Sequence, residues 1–512
     1  MVASNTHLTR IGHNHYDFGM KRVASGILPL IAVNRDASTA LHRQIYDAYR
    51  TAIVDGSLRP GQRVPSTRVL ALEIGVSRFP VVNAYAQLLA EGYFESRVGA
   101  GTVISNSLPE QFPPRQRSRE QFSTSRRGPR PVSHGSSVLP RFKVDPWQRR
   151  LGAFGVGQVA FDQFPLHIWA NLVGRRCRKM DTKSCHYGDQ LGVENLREGI
   201  ANYLRTARSL NCDAKQIMVV SGSQQALEIT ARVLLDPGDR MWIEEPSYRL
   251  ARSVFALAGC RLIPVPVDEE GLVVAAGIKL CHNARAAFVT PSHQFPLGFC
   301  MSASRRFQLL EWAQQEGAWI IEDDYDSEYR YDSLPIASLQ GLDANGRVIY
   351  IGTFSKVLYP SLRLGYIVIP PDLLDRFMSV RHTMDICPPD FYPEVIADFM
   401  SEGHFARHIR RMRILYCDRR TVLVDSIRKE LGQQLEVLGG EAGMHLAVAL
   451  RDGRRDMEIA ERAARQNLWL WPLSPCYAGK VSRSGFTLGF GGVAIEEIPL
   501  AVRRLRSLLT AK

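Results

Sequence analysis

Apolar residues follow two different rhythms along this chain. In the first hundred residues they return at helical spacing. Leu41, Ile45, Ala48, Tyr49, Ala52 and Ile53 fall on one face of a helix that Gly56 ends. Leu58-Arg59-Pro60-Gly61 reads as a turn. Ser66 is placed to cap a second helix over 67–74, stopped by Gly75, and Ser77 a third running to about Glu91. Residues 93–96 and 102–104 read as short strands, with Gly99 and Gly101 in the tight tip between them. Three helices and a hairpin, with a helix–turn–helix over 70–89, predict an α+β winged helix-turn-helix domain over 38–105.

The second rhythm begins near residue 150. Continuous apolar runs at 217–220, 241–244, 261–265, 286–290, 318–322, 347–351 and 364–369 read as buried strands, and helical segments separate most of them. That alternation predicts an α/β layered sheet within a domain over 151–512. After Pro393 basic helices mix with short strands, which predicts a smaller α+β lobe over about 394–512. The stretch 106–150 is rich in Pro, Ser, Gln and Arg and has no period, so it is expected to be a flexible basic linker.

Charge sharpens this division. The chain of 512 residues carries a formal net charge of +13. Residues 1–110 contribute +3, 111–150 contribute +8, and the remainder +2. A basic excess at one end suits a polyanionic partner, here double-stranded DNA, although a solvated basic linker would look the same. No run of about 18 apolar residues is long enough to span a membrane. Residues 1–20 lack the apolar core of a signal peptide. The nine cysteines are scattered with no C-x-x-C pair, so neither a zinc site nor a disulfide framework is expected, and a cytoplasmic setting is.

The candidate chemistry centres on Gly352-Thr353-Phe354-Ser355-Lys356, directly after a predicted strand, with Arg363 seven residues beyond the lysine. A lysine flanked by hydroxyls and an arginine suits pyridoxal phosphate held as a Schiff base. Other useful groups also follow strands, where ligands gather in such sheets. Ser221-Gly222-Ser223-Gln224 opens a helix whose free amides suit a phosphate. Tyr248 offers an aromatic face for the ring. Asp323 and Tyr325 offer a carboxylate for a pyridine nitrogen and a hydroxyl for the ring oxygen. Each group alone has a bland structural role, and their joint order is what points to the cofactor.

Residues 165–512, with the segments Thr290-Pro291-Ser292-His293-Gln294-Phe295-Pro296-Leu297-Gly298, 320–330 and 352–365 that match the subfamily named below closely, resemble a fold-type I aminotransferase. Pro65-Ser66-Thr67-Arg68, Gly75-Val76-Ser77-Arg78 and Leu89-Ala90-Glu91-Gly92-Tyr93 resemble the GntR-type winged helix. In this order the two resemble the MocR subfamily of GntR-type transcriptional regulators. The resemblance implies a Schiff base at Lys356, with Asp323 on the pyridine nitrogen, Tyr325 on the ring hydroxyl and Tyr248 stacked on the ring. It places Gly222, Ser223, Gln224, Thr353, Ser355 and Arg363 around the phosphate. Tyr187 matches a tyrosine that reaches the phosphate of a partner subunit, which implies a homodimer. Arg68, Ser77 and Arg78 are placed as DNA contacts, with Arg97, Gly99 and Gly101 on the wing.

Two departures bear on function. Aminotransferases have an asparagine where this chain has Phe295, so one ring contact is missing or comes from His293. The arginine that takes a substrate α-carboxylate is replaced by Thr487 or a neighbour. A buried carboxylate without a cation is costly. The expectation is therefore a regulator that senses an amine effector, or pyridoxal phosphate itself, by aldimine exchange at Lys356. The effector is expected not to be an ordinary α-amino acid. Enzymatic turnover is disfavoured, with residual half-reactions allowed. The alternative is an active aminotransferase that carries a DNA-binding domain.

Overall fold

The helices of the N-terminal unit form where one face is continuously apolar. A computed structural model describes residues 31, 33–97, 101–108, 132–148, 151–331 and 337–510, and divides the chain into units of residues 1–130 and 131–512. In the first unit, helices Leu41–Val54, Thr67–Glu73 and Arg78–Ala90 precede a hairpin of β1 (Phe94–Arg97) and β2 (Gly101–Ile104). The strands pair antiparallel from Phe94↔Ile104 to Arg97↔Gly101. Ile45, Tyr49, Leu70, Val81 and Leu88 form the core. Tyr49, Tyr85 and Phe94 meet edge to face with centroids 5.1–5.6 Å apart. The Tyr85 hydroxyl donates to the Pro65 carbonyl at 3.0 Å, which ties the third helix to the turn before the second.

The second unit is built on an eight-stranded sheet. Its strands are β3 (Ile217–Val220), β4 (Arg240–Glu245), β5 (Arg261–Asp268), β6 (Gly271–Leu272), β7 (Ala286–Val289), β8 (Trp319–Asp324), β9 (Val348–Thr353) and β10 (Gly365–Val368). Their order is β3-β10-β9-β8-β7-β4-β5-β6. The five strands β5, β4, β7, β8 and β9 run parallel, while β10 lies antiparallel between β9 and β3. Strands β3, β7, β8, β9 and β10 are buried along their whole length, as helices on both faces require. The loops after β3, β4, β7, β8 and β9 carry the residues singled out above.

A smaller four-stranded antiparallel sheet has the order β11-β12-β14-β13, from β11 (Leu435–Leu438), β12 (His445–Leu450), β13 (Trp471–Pro472) and β14 (Gly485–Gly489). One face packs Phe486 and Leu488 against helices His404–Leu431 and Glu497–Thr510. The alternating face carries Ala447, which packs with Leu297 and Phe299. The lobe boundary differs from the expected 394. Helix Phe391–Ser401 puts Val395, Ile396 and Phe399 into the core of the large lobe, with Trp169, Leu196 and Ile200. The small lobe also recruits Phe154 and Ala160 from before the large lobe. The expected linker differs too. Residues 109–131 lie outside the described residues, but Trp147 is buried in the small-lobe core and Asp145 pairs with Arg249 at 3.4 Å. A single anchoring tryptophan leaves no periodic trace in a sequence. No helix among the described residues is long and apolar enough to cross a membrane.

Candidate functional site

Lys356 leaves the end of β9 in a loop that is tied back to the sheet. The Thr353 hydroxyl accepts from the Ser355 amide at 3.2 Å and donates to the Leu364 carbonyl at 3.3 Å, and the Phe354 amide donates to the same carbonyl at 3.0 Å. Burial lowers the pKa of the Lys356 ammonium, the Arg363 charge acts the same way, and Asp326 and Asp323 oppose them. A neutral amine, the form that attacks a carbonyl, is thereby brought within reach.

Adjacent carboxylates Asp323 and Asp324 end strand β8 and have different fates. Burial alone would raise the pKa of Asp324, but Arg208 at 2.7 Å and the Tyr350 hydroxyl at 2.5 Å hold it below its ordinary value. Asp323 has no such partner. Its Oδ1 is buried without a hydrogen bond, and burial, together with Asp324, Asp326 and Glu244, pushes its pKa up to about 7 against the Lys356 charge. A protonated pyridine nitrogen would remove that cost, so Asp323 suits a cofactor whereas Asp324 is engaged by Arg208 and Tyr350.

The groups that would hold a phosphate lie at the start of helix Ser223–Leu234. Gly222, at φ 97°, is the residue before it. A Cβ there would sit 3.3–3.5 Å from the Arg363 guanidinium, so the glycine lets Arg363 close over the helix start. Ser223 and Gln224 supply first-turn amides with no carbonyl inside the helix, and Gln224 Nε2 is buried without a partner. Tyr248 belongs to the same group. Burial and Asp323 raise its pKa to about 12 while Arg363 opposes, and its ring meets Phe295 edge to face at 5.4 Å. Tyr187 is not brought to this group: it is 80% exposed, with no described contact to these residues.

Tyr325 has its hydroxyl on the His293 carbonyl at 2.8 Å and near His293 Nδ1 at 3.1 Å. Both Asp326 oxygens also reach that nitrogen, at 3.0 and 3.1 Å. His445, from β12 of the small lobe, lies with its ring centroid 4.3 Å from that of His293. Asp326 and His445 were not singled out in the sequence. Nor was Gly157, which turns at φ 78° beside the amine and where a Cβ would come within 2.4 Å of Lys356 Nζ. Nor was Glu244, which accepts from the Thr290 amide, the Thr290 hydroxyl and Gln294 Nε2 and so fixes the loop bearing His293 and Phe295. The repeated run of polar side chains after β7 was the one available signal for that network. Thr487 is fully buried on β14 with its hydroxyl unpartnered.

In the N-terminal unit Arg68, Ser77 and Arg78 are exposed around the helix–turn–helix. Arg78 Nε donates to the Thr67 hydroxyl at 3.2 Å. Ser77 is the N-cap residue of helix Arg78–Ala90 but makes no cap bond with its side chain, which leaves the hydroxyl unengaged by the helix. Arg97 and Gly101 are paired at the ends of the wing strands, and Gly99 lies outside the described residues.

These groups fit pyridoxal phosphate. Lys356 would hold its aldehyde carbon, Asp323 its pyridine nitrogen, and Gly222, Ser223, Gln224, Thr353, Ser355 and Arg363 its phosphate. A family model described as aminotransferase class I and II matches residues 153–503, and one described as bacterial regulatory proteins, gntR family, matches residues 41–104. A probable rhizopine catabolism regulatory protein, MocR, of Rhizobium meliloti is 38% identical over 94% of this chain and 96% of its own. The pyridoxine biosynthesis transcriptional regulator PdxR of Corynebacterium glutamicum is 33% identical over 90% of this chain and 94% of its own. Among solved structures, a kynurenine aminotransferase of Pyrococcus horikoshii superposes with a TM-score of 0.68 and 28% identity, covering 74% of this chain and 96% of that one. The chain belongs to the MocR subfamily of GntR-type transcriptional regulators, with a winged helix-turn-helix joined to a fold-type I aminotransferase-like domain built for pyridoxal phosphate.

Proposed function

We propose that this regulator acts as a homodimer that reads a small amine at Lys356 and reports it to operator DNA. The observation that carries the reading is that one chain holds both a helix–turn–helix with exposed Arg68 and Arg78 and a half-buried Lys356 beside Asp323, whose Oδ1 is buried without a hydrogen bond. Pyridoxal phosphate, when bound, supplies an electrophilic carbon that an amine can take over from Lys356. The Lys356 amine would stay beside Asp323 and Asp326, whose charges oppose the burial that favours its neutral form. A change of bonding at that amine is a local electrostatic change of the kind that biases a two-state element. The exposed Tyr187 is then supplied to the phosphate of the second subunit. Relatives named as regulators of rhizopine catabolism and of pyridoxine biosynthesis support a small metabolite as the effector.

A gel-shift screen of DNA upstream of neighbouring genes tests the reading, with and without candidate amines. One fragment should bind well above random DNA, and an effective amine should change that binding. A protein that prefers no fragment defeats it. The alternative, a working aminotransferase, requires sustained turnover of an amino acid. Phe295 and Thr487 stand against it at the two positions where enzymes make ring and carboxylate contacts.

A further inference from the structure

We propose that Arg381 and Gln225 form a clamp that positions the loop over residues 221–223 for the cofactor phosphate, acting through the backbone of that loop. The proposal rests on the pyridoxal phosphate assignment above and stands whether or not an amine is sensed.

Strand β3, which leads into this loop, is an edge of the large sheet. On its inner side β10 holds it in antiparallel register, from Gly365↔Val220 to Val368↔Ile217. Gly365 lets the loop lie close there, since a Cβ on it would sit 3.1 Å from the Gly222 Cα. The outer side has no strand. An unpaired strand edge leaves amides and carbonyls for other groups to satisfy. The Val219 amide donates to the Leu191 carbonyl at 2.8 Å, and the Val219 carbonyl accepts from Arg381 Nη1 at 3.2 Å.

Arg381 comes from helix Leu374–Asp385 and is fully buried. Its Nη1 also donates to Gln225 Oε1 at 3.1 Å. One turn further along the helix, Asp385 Oδ1 lies 2.6 Å from Arg381 Nε, and Asp385 Oδ2 accepts from Gln225 Nε2 at 2.7 Å. Gln225 Oε1 in turn accepts from the Ser221 amide at 2.7 Å. Arg381, Asp385 and Gln225 thus close a ring of contacts whose outlet is the Ser221 backbone. The ring admits one orientation of the Gln225 amide. Turned over, its NH2 would face two donors, and its oxygen would face the Asp385 carboxylate.

Gln225 is the third residue of helix Ser223–Leu234, and its side chain reaches back past the N-cap residue Gly222. A glutamine at that position commonly takes the N-cap amide. Here it takes the amide one residue earlier. The chain is thereby fixed on both sides of Gly222, whose φ is 97°. With it are fixed the directions of the first-turn amides of Ser223 and Gln224. Donors already held in place bind an anion more tightly, because less ordering remains to be done on binding. The clamp makes no contact with Asp323 or Tyr248 in this network, so its effect should fall on the phosphate and spare the ring.

The test uses the full-length protein stripped of cofactor. It is titrated with pyridoxal phosphate and with pyridoxal, which has the same ring and aldehyde but no phosphate, each followed by visible absorbance. Gln225→Leu and Arg381→Lys should each weaken pyridoxal phosphate about ten-fold, the scale of one lost hydrogen bond, and leave pyridoxal within about two-fold. Arg381→Lys keeps the charge but not the planar fork. Gln225→Leu keeps Arg381 and the strand edge in place, so it carries the test even where a change at the buried arginine unfolds the protein. Arg381→Met should weaken pyridoxal phosphate at least as much as Arg381→Lys. Full affinity in Gln225→Leu and Arg381→Lys, with a loss in Arg381→Met alone, shows that Arg381 acts by charge and overturns the clamp. Equal weakening of both ligands also overturns it, because that is a general loss of structure. If the parent protein binds neither ligand, the cofactor assignment itself falls.

Discussion

The two units break the usual sorting of residues in opposite directions. The winged helix leaves large apolar side chains in water: Phe79 is 72% exposed and Leu72 is 86% exposed. The aminotransferase-like unit buries polar atoms without partners, among them Asp323 Oδ1, His293 Nε2 and the Thr487 hydroxyl. Either departure is more informative than an ordinary exposed leucine or buried valine. Their energetics differ, however. An exposed phenylalanine costs the folded protein little, because it is equally wet when unfolded. A buried carboxylate without a partner destabilises the fold until a ligand arrives. The DNA-facing unit should therefore tolerate substitution of its binding residues with no loss of stability. The effector unit should trade stability against binding at the same positions.

The largest effect that sharpens this contrast is expected at Lys356. Lys356→Ala removes the nucleophile, so the amine response of the visible spectrum should vanish, while specific DNA binding in a gel shift remains measurable. Asp323→Asn comes next and shows the trade directly. A hydrogen bond to a charged group is worth about 1.5–3 kcal/mol, so cofactor affinity should fall by roughly 10–100-fold. The cofactor-free protein should respond in the other direction. Folding raises the Asp323 pKa from 3.8 to about 7. The contribution of this group is therefore fully favourable below its unfolded pKa and is lost as pH rises through about 7. Asp323→Asn should raise the melting temperature of the cofactor-free protein at pH 8 and flatten its pH dependence between 4 and 7. A melting temperature lowered equally at pH 4 and pH 8 would contradict this account.

The same contrast explains what could be read from sequence. Lys356, Tyr325 and Gly222 lie just beyond strand ends, Asp323 lies at one and Arg363 just before another strand begins, so local apolar runs sufficed to bring them together. Asp326 was adjacent to that set but had no distinct signal, because its role depends on His293, 33 residues away. His445 and Gly157 arrive from a small-lobe strand and from a segment before the large lobe. No local pattern connects either to Lys356, and only tertiary packing does. Short strands such as β13 carry too few residues for a period, and helix Phe391–Ser401 crosses the expected lobe boundary because helical spacing does not say which core it serves. Trp147 anchors a stretch whose composition reads as linker for the same reason.

On the DNA side, Arg78 and Phe79 open the third helix and separate two kinds of contact. Arg78→Ala should weaken specific binding by about 1–3 kcal/mol if the guanidinium reads a base. If it holds a phosphate, binding should weaken evenly across sequences and the salt slope should fall by about one unit. Phe79→Ala should leave the melting temperature unchanged, since surface substitutions stay within about 0.5 kcal/mol. Its effect on operator choice should appear where a thymine methyl meets the ring. Replacing that thymine with uracil should then weaken the parent protein and not Phe79→Ala. Equal losses for both proteins would show that the exposed ring does not touch the base.

The smallest effect divides two serines in equivalent places. Ser66 and Ser77 are both N-cap residues in extended backbone, at φ −67° and −65°. The Ser66 hydroxyl accepts from the Val69 amide at 3.3 Å, whereas the Ser77 side chain makes no cap bond. Losing a cap bond costs about 1 kcal/mol, so Ser66→Ala should lower the stability of the winged helix by that amount, as read by denaturant unfolding followed with a probe in this unit. Ser77→Ala should cost almost nothing in the same measurement and should instead weaken DNA binding, because its hydroxyl is left over for the phosphate backbone. If Ser77→Ala destabilises as much as Ser66→Ala and binds DNA normally, the hydroxyl serves the helix after all, and the division between folding and binding residues in this unit does not extend to its caps.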